Sequence, residues 1–494
     1  MSEHQPEQQV LNKPASAGPG KTAKPISKLA TGIAGLDEVL HGGFPEKRTT
    51  LLKGAAGTGK TVLGLEFLYR AAAGGRPAVL VSFEEAAKTL RENALATGWD
   101  ISALEKSGRF FLWNAKIDRR AVTSGDFDIS SLLGVVKGKA EQIGASLIMI
   151  DAVDVLMGIF EDLLKERNEL YRLHDWLAEQ QFTALLTAKA HRDPAHTDRY
   201  EFLDYMADCI VKLDMRVENQ VATRRLRVIK YRGSGFCANE YPYIITAGGN
   251  VVMPITEMRL RHRPPGGRVS CGDGRLDDLL GGGLFRGSSV LLAGGTGTGK
   301  TTMAANFAEK ACAAGGRMLY ISFEESQPSI IESMRSAGID LRPATKNGNL
   351  QFHTIMPESL AVEEHLYRVL HKMEGFRPDH VVVDAISACK RMGPEGAPFD
   401  FVARLVDSCK SRGITCLLIN QHDSSGSQTH LSGVGASSII DTLIVLRFVE
   451  IAGRVQRDLL IVKSRGTAHS NRHHRFCITD NGIRFEAYKT AEGI

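Results

Sequence analysis

Residues 31–61 read TGIAGLDEVLHGGFPEKRTTLLKGAAGTGKT, and residues 271–301 read CGDGRLDDLLGGGLFRGSSVLLAGGTGTGKT. The two stretches follow one pattern at an offset of 240 residues, so that Lys60 corresponds to Lys300. Each contains an apolar run followed by a glycine-rich loop, which is typical of a strand that leads through a phosphate-binding loop into a helix. A repeat of so long a period indicates a duplicated domain and not a solenoid.

The duplication extends well beyond these loops. VSFEEAAKTL begins at Val81 and ISFEESQPSI at Ile321, again at an offset of 240. Further along, ASLIMIDAVDVL matches HVVVDAISAC, and IKYRGS matches VKSRGT at an offset of 233. Small insertions and deletions therefore separate the two halves.

Both glycine-rich loops fit the pattern G-x-x-x-x-G-K-[ST]. Glycines let backbone N–H groups approach a polyphosphate closely, the lysine adds a cation, and the final hydroxyl can reach a magnesium ion. A degenerate loop that binds nothing is the alternative for either half. The predicted nucleotide-binding residues are Gly54, Gly57, Thr58, Gly59, Lys60 and Thr61 in the first half and Gly294, Gly297, Thr298, Gly299, Lys300 and Thr301 in the second.

Short apolar runs alternate with helix-like segments in both halves, which indicates a parallel sheet with helices on both faces. We predict the α/β class, with two tandem RecA-like P-loop NTPase domains that each have a mainly parallel sheet flanked by helices. The predicted boundaries are a disordered leader over residues 1–25, a first domain over 26–258, a Pro- and Gly-rich linker over 259–268 and a second domain over 269–494.

Two apolar runs end in an aspartate, namely IMID at Asp151 and VVVD at Asp384. A carboxylate at the C-terminal end of a parallel strand lies where ligands bind in such sheets. We predict that Asp151 and Asp384 join Thr61 and Thr301 around Mg²⁺, with a helix-capping aspartate as the alternative.

Acidic pairs follow another strand-like run in each half. Glu84 and Glu85 correspond to Glu324 and Glu325, in register with the phosphate loops. Neighbouring carboxylates can raise one another's pKa, so one could orient and deprotonate an attacking water or hydroxyl while the other holds it in place. A solvated acidic surface is the alternative.

These landmarks, five in order and present twice, resemble the KaiC family, the ATPase and autokinase of the cyanobacterial clock. The resemblance covers residues 28 to about 485. It implies a homohexameric double ring with ATP at the subunit interfaces. It also implies that Lys230 and Arg232, and likewise Lys463 and Arg465, reach the ATP of the neighbouring subunit; without the resemblance they would be ordinary surface cations.

The resemblance also implies autophosphorylation of the second domain, at the positions occupied here by Ser437 and Ser438. The corresponding stretch of the first half, residues 202–208, holds no Ser or Thr. A KaiB-like protein or a signalling partner is a candidate partner. We do not expect a KaiA-type partner, because only 29 residues follow Arg465. The implied role is a clock-like timer or one in signalling or stress.

Composition limits the other classes of function. A net charge of +5 spread over 494 residues is too small to favour nucleic acid binding. No apolar run is long enough to cross a bilayer, and eight scattered cysteines favour the cytoplasm. Two alternatives stay open: a RecA-like recombination or repair ATPase, whose DNA-binding loop would be residues 424–435, and a nucleotide-gated scaffold without kinase activity.

Overall fold

The computed structural model describes residues 26–115, 129–160, 162–190, 201–218, 220–253, 266–393, 396–421, 438–451 and 453–486. The predicted leader, the linker as far as residue 265, the proposed DNA-binding loop and Ser437 lie outside the described residues.

The first half contains eleven strands and eight α-helices within the described residues. The strands are β1 (Lys28–Leu29), β2 (Phe44–Pro45), β3 (Thr49–Gly54), β4 (Ala78–Ser82), β5 (Phe110–Asn114), β6 (Leu147–Asp151), β7 (Thr183–Lys189), β8 (Cys209–Glu218), β9 (Val221–Tyr231), β10 (Glu240–Thr246) and β11 (Gly249–Val252). The helices are α1 (Leu36–Val39), α2 (Lys60–Ala73), α3 (Ala87–Ala96), α4 (Ile101–Lys106), α5 (Ser130–Ile143), α6 (Val153–Met157), α7 (Leu163–Glu179) and α8 (Glu201–Met206).

The second half repeats this order. Its strands are β12 (Arg268–Val269), β13 (Leu284–Phe285), β14 (Ser289–Gly294), β15 (Met318–Ser322), β16 (Leu350–Thr354), β17 (His380–Asp384), β18 (Thr415–Gln421), β19 (Thr442–Ile451), β20 (Arg454–Ser464), β21 (His473–Thr479) and β22 (Gly482–Phe485). Its helices are α9 (Gly274–Leu279), α10 (Lys300–Ala313), α11 (Gln327–Ser336), α12 (Arg342–Lys346), α13 (Val362–Phe376) and α14 (Ala397–Arg412), with 3₁₀ turns at Pro357–Ser359 and Ile386–Arg391.

Each half is built on one sheet of nine strands. The order is β11-β10-β9-β8-β3-β7-β6-β4-β5 in the first half and β16-β15-β17-β18-β14-β19-β20-β21-β22 in the second. The six strands from β8 to β5 are parallel, while β9, β10 and β11 extend the sheet as antiparallel strands. The predicted α/β class with two mainly parallel sheets is confirmed, and the antiparallel extension is a feature that the apolar runs did not predict.

Both faces of each sheet are covered by apolar side chains. In β3, Leu51 and Leu52 are wholly buried in different hydrophobic cores, because successive strand residues point to opposite faces. The second half repeats the arrangement with Leu291 and Leu292. This double burial explains why the central strands read as continuous apolar runs. Among the described residues, no helix is long and apolar enough to cross a bilayer.

A buried ion pair links the two halves. Arg225 of β9 donates from Nη1 to Oε1 of Glu363, in the first turn of α13, at 2.5 Å. The Glu363 side chain is 9% exposed and that of Arg225 is 20% exposed. A charge removed from water in this way requires its partner, so the contact fixes α13 against the first sheet.

Replacing Glu363 with Gln should lower the free energy of unfolding by about 2 kcal/mol, because Arg225 keeps a neutral acceptor but loses the opposite charge. Thermal and denaturant unfolding of the full chain measure this change.

Glu364 provides the matched control on the same helix. It pairs with Arg368 at 2.7 Å, with exposed fractions of 32% and 48%. Glu364→Gln should cost no more than about 0.5 kcal/mol. Equal effects of the two substitutions would contradict a structural role for the pair between the halves.

Candidate functional site

The glycine-rich loops connect β3 to α2 and β14 to α10. Gly59 and Gly299, just before each helix, have φ angles of 90° and 101°, which residues other than glycine rarely adopt. A Cβ added to Gly59 would also lie 2.7 Å from Cδ1 of Ile245. The loops therefore need glycine for their conformation, and each directs the N-terminus of a long helix at the space beyond its strand.

The loop lysines point into their own loops. Lys60 donates from Nζ to the carbonyl oxygens of Gly54 at 2.8 Å and Ala55 at 3.1 Å. Lys300 makes the same two contacts, at 2.9 and 2.7 Å. Burial lowers the pKa of both amines, and the nearby Asp151 or Asp384 raises it. Each cation is thus held against two carbonyl oxygens at the start of its loop, where a phosphate could take over its contacts.

In the first half, Asp151 lies directly beside the loop. Thr61 donates from Oγ1 to Oδ2 of Asp151 at 2.9 Å, and Thr187 donates to Oδ1. Burial raises the pKa of the Asp151 carboxyl, while these hydrogen bonds lower it. A hydroxyl and a carboxylate next to a phosphate-binding loop are hard oxygen donors, and this donor set fits Mg²⁺.

The second half brings the same groups together with a different neighbour. Asp384 is 9% exposed, and its Oδ2 accepts a hydrogen bond from the hydroxyl of Tyr320 at 2.8 Å. Burial raises the pKa of Asp384 to about 6, against hydrogen bonds with Tyr320 and Thr301 that lower it. The donor set again fits Mg²⁺. Tyr320 and Thr187 were not identified from the sequence, because neither belongs to a repeated motif.

The acidic pairs follow β4 and β15 at the same edge of each sheet. Glu84 forms an ion pair with Lys189 at 2.9 Å. Burial raises the pKa of Glu85, and the nearby Asp151 and Glu84 raise it further. In the first half the pair is therefore electrostatically coupled to the carboxylate beside the loop.

Glu324 and Glu325 are exposed in the second half, where Oε2 of Glu325 accepts a hydrogen bond from Ser329 at 2.9 Å. The counterpart of Lys189 at the end of the neighbouring strand is Gln421, which donates to Thr296 of the loop at 2.6 Å. The two sites therefore have the same arrangement of strands and loops but differ in charge, because neutral Gln421 replaces the cation Lys189. The sequence motifs missed this difference because both residues lie at the ends of strands without a recognised pattern.

The basic segments lie at the opposite edge of the sheets. Tyr231, between Lys230 and Arg232, pairs with Cys209, the first residue of β8, which pairs with Thr50 near the start of β3. The four residue steps from Thr50 to Gly54 span about 13 Å. The phosphate loop begins at the far end of β3. The two cations therefore lie at the opposite ends of the strands from the phosphate loop of their own half.

Lys463 and Arg465 occupy the same position in the second half, because Ser464 pairs with Thr442 at the start of β19. Lys463 donates to the carbonyl oxygen of Ile440 at 2.8 Å, and Arg465 to that of Ser438 at 2.8 Å. Ser438 is exposed, so the candidate phosphoacceptor and the two cations share one edge.

The first half differs at the position of the acceptors. Residues 202–206 belong to the helix α8. Within it, Asp204 forms an ion pair with Lys53, with Nζ and Oδ1 2.8 Å apart. Lys230 and Arg232 donate to the carbonyl oxygens of Asp204 and Tyr205, at 2.6 and 2.8 Å. This edge therefore carries an acidic helix where the second half carries Ser438.

The raised pKa of Asp384 predicts a stability cost in the protein without nucleotide. A carboxyl whose pKa rises from 3.8 to about 6 on folding destabilises the folded state fully above pH 6, and less as the pH falls toward 4. Asp384→Asn should therefore raise the free energy of unfolding by about 3 kcal/mol at pH 8, and by roughly half as much at pH 5. Unfolding in EDTA at both pH values measures the change.

Asp441→Asn is the control with the opposite sign. Burial raises the pKa of Asp441, but hydrogen bonds and charge from Lys410 and Ser289 outweigh this effect and lower it. The substitution should therefore destabilise the protein at pH 8. A loss of stability in both variants at pH 8 would contradict the assignment for Asp384.

Comparison with known proteins agrees with this geometry. The family model described as "ATPase: KaiC" matches residues 29–257 and again residues 269–490. The circadian clock protein KaiC2 of Synechocystis sp. is 38% identical over 94% of this chain and 82% of its own length. The circadian clock oscillator proteins KaiC of Parathermosynechococcus lividus and Synechococcus elongatus are each 33% identical, over 93% and 92% of this chain and 85% and 88% of their own lengths. The chain belongs to the KaiC family, and both of its halves are ATP-binding ATPase domains of that family.

Proposed function

We propose that this protein is an ATPase and serine autokinase whose active sites form between copies of the chain. The observation that carries the proposal is the position of Lys230, Arg232, Lys463 and Arg465 at the edge of each sheet that faces away from the phosphate loop of the same half. A phosphoryl group in transfer needs cations around its oxygens. A second copy of the chain can supply them if its basic edge meets the loop of the first.

Within one such site, the residues divide the work. The loop backbone and Lys60 or Lys300 bind the β- and γ-phosphates, while Thr61 and Asp151, or Thr301 and Asp384, hold Mg²⁺. When bound, Mg²⁺ neutralises charge that develops on the phosphate oxygens. The cations of the neighbouring copy stabilise the charge on the γ-phosphate. The glycines and threonines of both loops keep their proposed role in nucleotide binding.

The acidic pairs act on the attacking group. In the first domain, Glu84 and Glu85 orient water for attack on the γ-phosphate, and the raised pKa of Glu85 suits a group that takes up a proton. In the second domain, Glu324 and Glu325 do the same for water or for the hydroxyl of Ser437 or Ser438. The hydroxyl oxygen then forms a bond to phosphorus, the bond to ADP breaks, and the proton of the hydroxyl passes to the carboxylate.

Because the interface joins different faces of two copies, it can repeat from one subunit to the next, and it forms a ring when the rotation between neighbouring copies closes. We propose the homohexamer of the KaiC resemblance, with residues 26–258 as the ATPase domain and residues 269–494 as the ATPase and autokinase domain. The relatives are named as circadian clock proteins, which supports a clock-like timer. A role in signalling or stress, a location in the cytoplasm, and a KaiB-like protein or a signalling protein as partner are parts of the same proposal.

Incubation with Mg²⁺ and γ-labelled ATP should place label on Ser437 or Ser438, as mapped by mass spectrometry of phosphopeptides. Glu324→Gln and the double variant Ser437→Ala/Ser438→Ala should both lose the label.

Glu84→Gln is the matched control, because it alters only the first domain and should retain the label. Release of phosphate without any protein label would leave a tandem ATPase and contradict the autokinase.

Mixing two inactive variants tests the site between copies. Arg465→Ala keeps its second phosphate loop, and Lys300→Ala keeps its basic edge. An equal mixture should restore about a quarter of the active interfaces, because only one of four pairings joins an intact loop to an intact edge.

The label should appear on the Lys300→Ala chain, which cannot use ATP in its own second loop but presents intact serines. The Arg465→Ala chain should stay unlabelled. No label in the mixture, or label on the Arg465→Ala chain alone, would contradict transfer between copies.

A further inference from the structure

The two halves hold their strand-end aspartates with different hydrogen-bond donors. In the first half, Thr187 of β7 donates to Asp151. In the second, Tyr320 of β15 donates to Asp384 at 2.8 Å. β7 and β15 are not equivalent strands: β7 lies between β6 and β3, whereas β15 lies on the other side of β17, next to β16. The carboxylate is therefore held from opposite sides in the two sites.

The duplication shows that each donor is specific to its half. Leu80 stands 240 residues before Tyr320, and it has no polar group. Thr187 pairs with Leu52 of β3, and the equivalent partner of Leu292 in β14 is Ile419. Besides the loop threonine, Thr61 or Thr301, each aspartate thus has a donor on one of its two flanking strands. An aliphatic residue stands at the corresponding position of the other strand.

Tyr320 is placed by packing that allows its hydroxyl little choice of partner. The residue is wholly buried, and its ring lies 5.3 Å from the ring of Phe352, on the adjacent strand. A hydroxyl buried to this extent must find an acceptor, and the carboxylate of Asp384 is that acceptor. The contact in turn restricts rotation of the carboxylate about its side-chain bond. Groups that orient metal ligands in this way commonly change metal affinity by about 10- to 100-fold when they are removed.

We propose that Tyr320 and Thr187 are positioning residues that fix Asp384 and Asp151 toward Mg²⁺, so that the Mg²⁺ requirement of each ATP site is set by its own donor. This inference rests on the proposed function of the two aspartates. It goes beyond that function in assigning the orientation of each carboxylate to a residue outside the repeated motifs, and in making the two sites independently adjustable.

The test measures binding of a fluorescent ATP analogue to the full chain during a Mg²⁺ titration. Lys60→Ala restricts binding to the second site, and Lys300→Ala restricts it to the first. Tyr320→Phe, which keeps the ring and removes only the hydroxyl, should raise the half-saturating Mg²⁺ concentration of the second site about tenfold. Thr187→Val should do the same at the first site, and each substitution should leave the other site unchanged.

Moving the hydroxyl donor from β15 to β18 is the control for a merely structural effect. Tyr320→Leu copies the first half at this position and should raise the half-saturating Mg²⁺ concentration of the second site as Tyr320→Phe does. Adding Ile419→Thr, which places a hydroxyl on the strand that supplies Thr187 in the first half, should recover part of the loss. Binding of the analogue in EDTA should be the same in all of these variants.

Other outcomes would overturn the proposal in distinguishable ways. If Tyr320→Phe leaves the half-saturating Mg²⁺ concentration unchanged while Asp384→Asn raises it, Tyr320 is not a positioning residue, although the proposed function stands. If Tyr320→Phe weakens binding equally with Mg²⁺ and with EDTA, its role is structural only. If neither substitution changes the Mg²⁺ dependence, the proposed role of Asp384 fails as well.

Discussion

The parallel hydrogen bonding of the central strands is the constraint on which the rest of this protein depends. Parallel strands all end at the same edge, so groups far apart in sequence meet there without any specific attraction between them. The loop after β3, Asp151 at the end of β6 and the acidic pair after β4 come together for this reason. The second half repeats the arrangement because it repeats the register.

The strand directions also separate each basic segment from the phosphate loop of its own half. β9 and β20 run antiparallel to their neighbours, so their last residues return to the edge where the parallel strands begin. Lys230 and Lys463 cannot therefore reach the loop of their own half. A single copy of the chain therefore carries the phosphate loop at one edge of each sheet and the basic segment at the opposite edge. In the proposed ring, the loop of one copy faces the basic segment of the next.

Several polar contacts around the two sites differ between the halves. Lys189 pairs with Glu84 in one half, whereas Gln421 contacts the loop itself in the other. Thr187 and Tyr320 hold their aspartates from different strands. These groups lie beside the carboxylates or the loop without belonging to a repeated motif, so the two sites differ in their polar contacts on a shared fold.

The sequence by itself determined the duplication, the α/β class, the loops with Lys60 and Lys300, and the family, because each of these follows from local patterns that the chain contains twice. Apolar runs of strand length predicted β3, β4 and β6 because buried parallel strands have no polar face. Only the tertiary structure decided the antiparallel extension, the edge on which Arg232 and Arg465 lie, and the donors Thr187 and Tyr320. These features depend on which strands become neighbours and in which direction they run, and that choice is made by long-range packing that no local pattern of residues records.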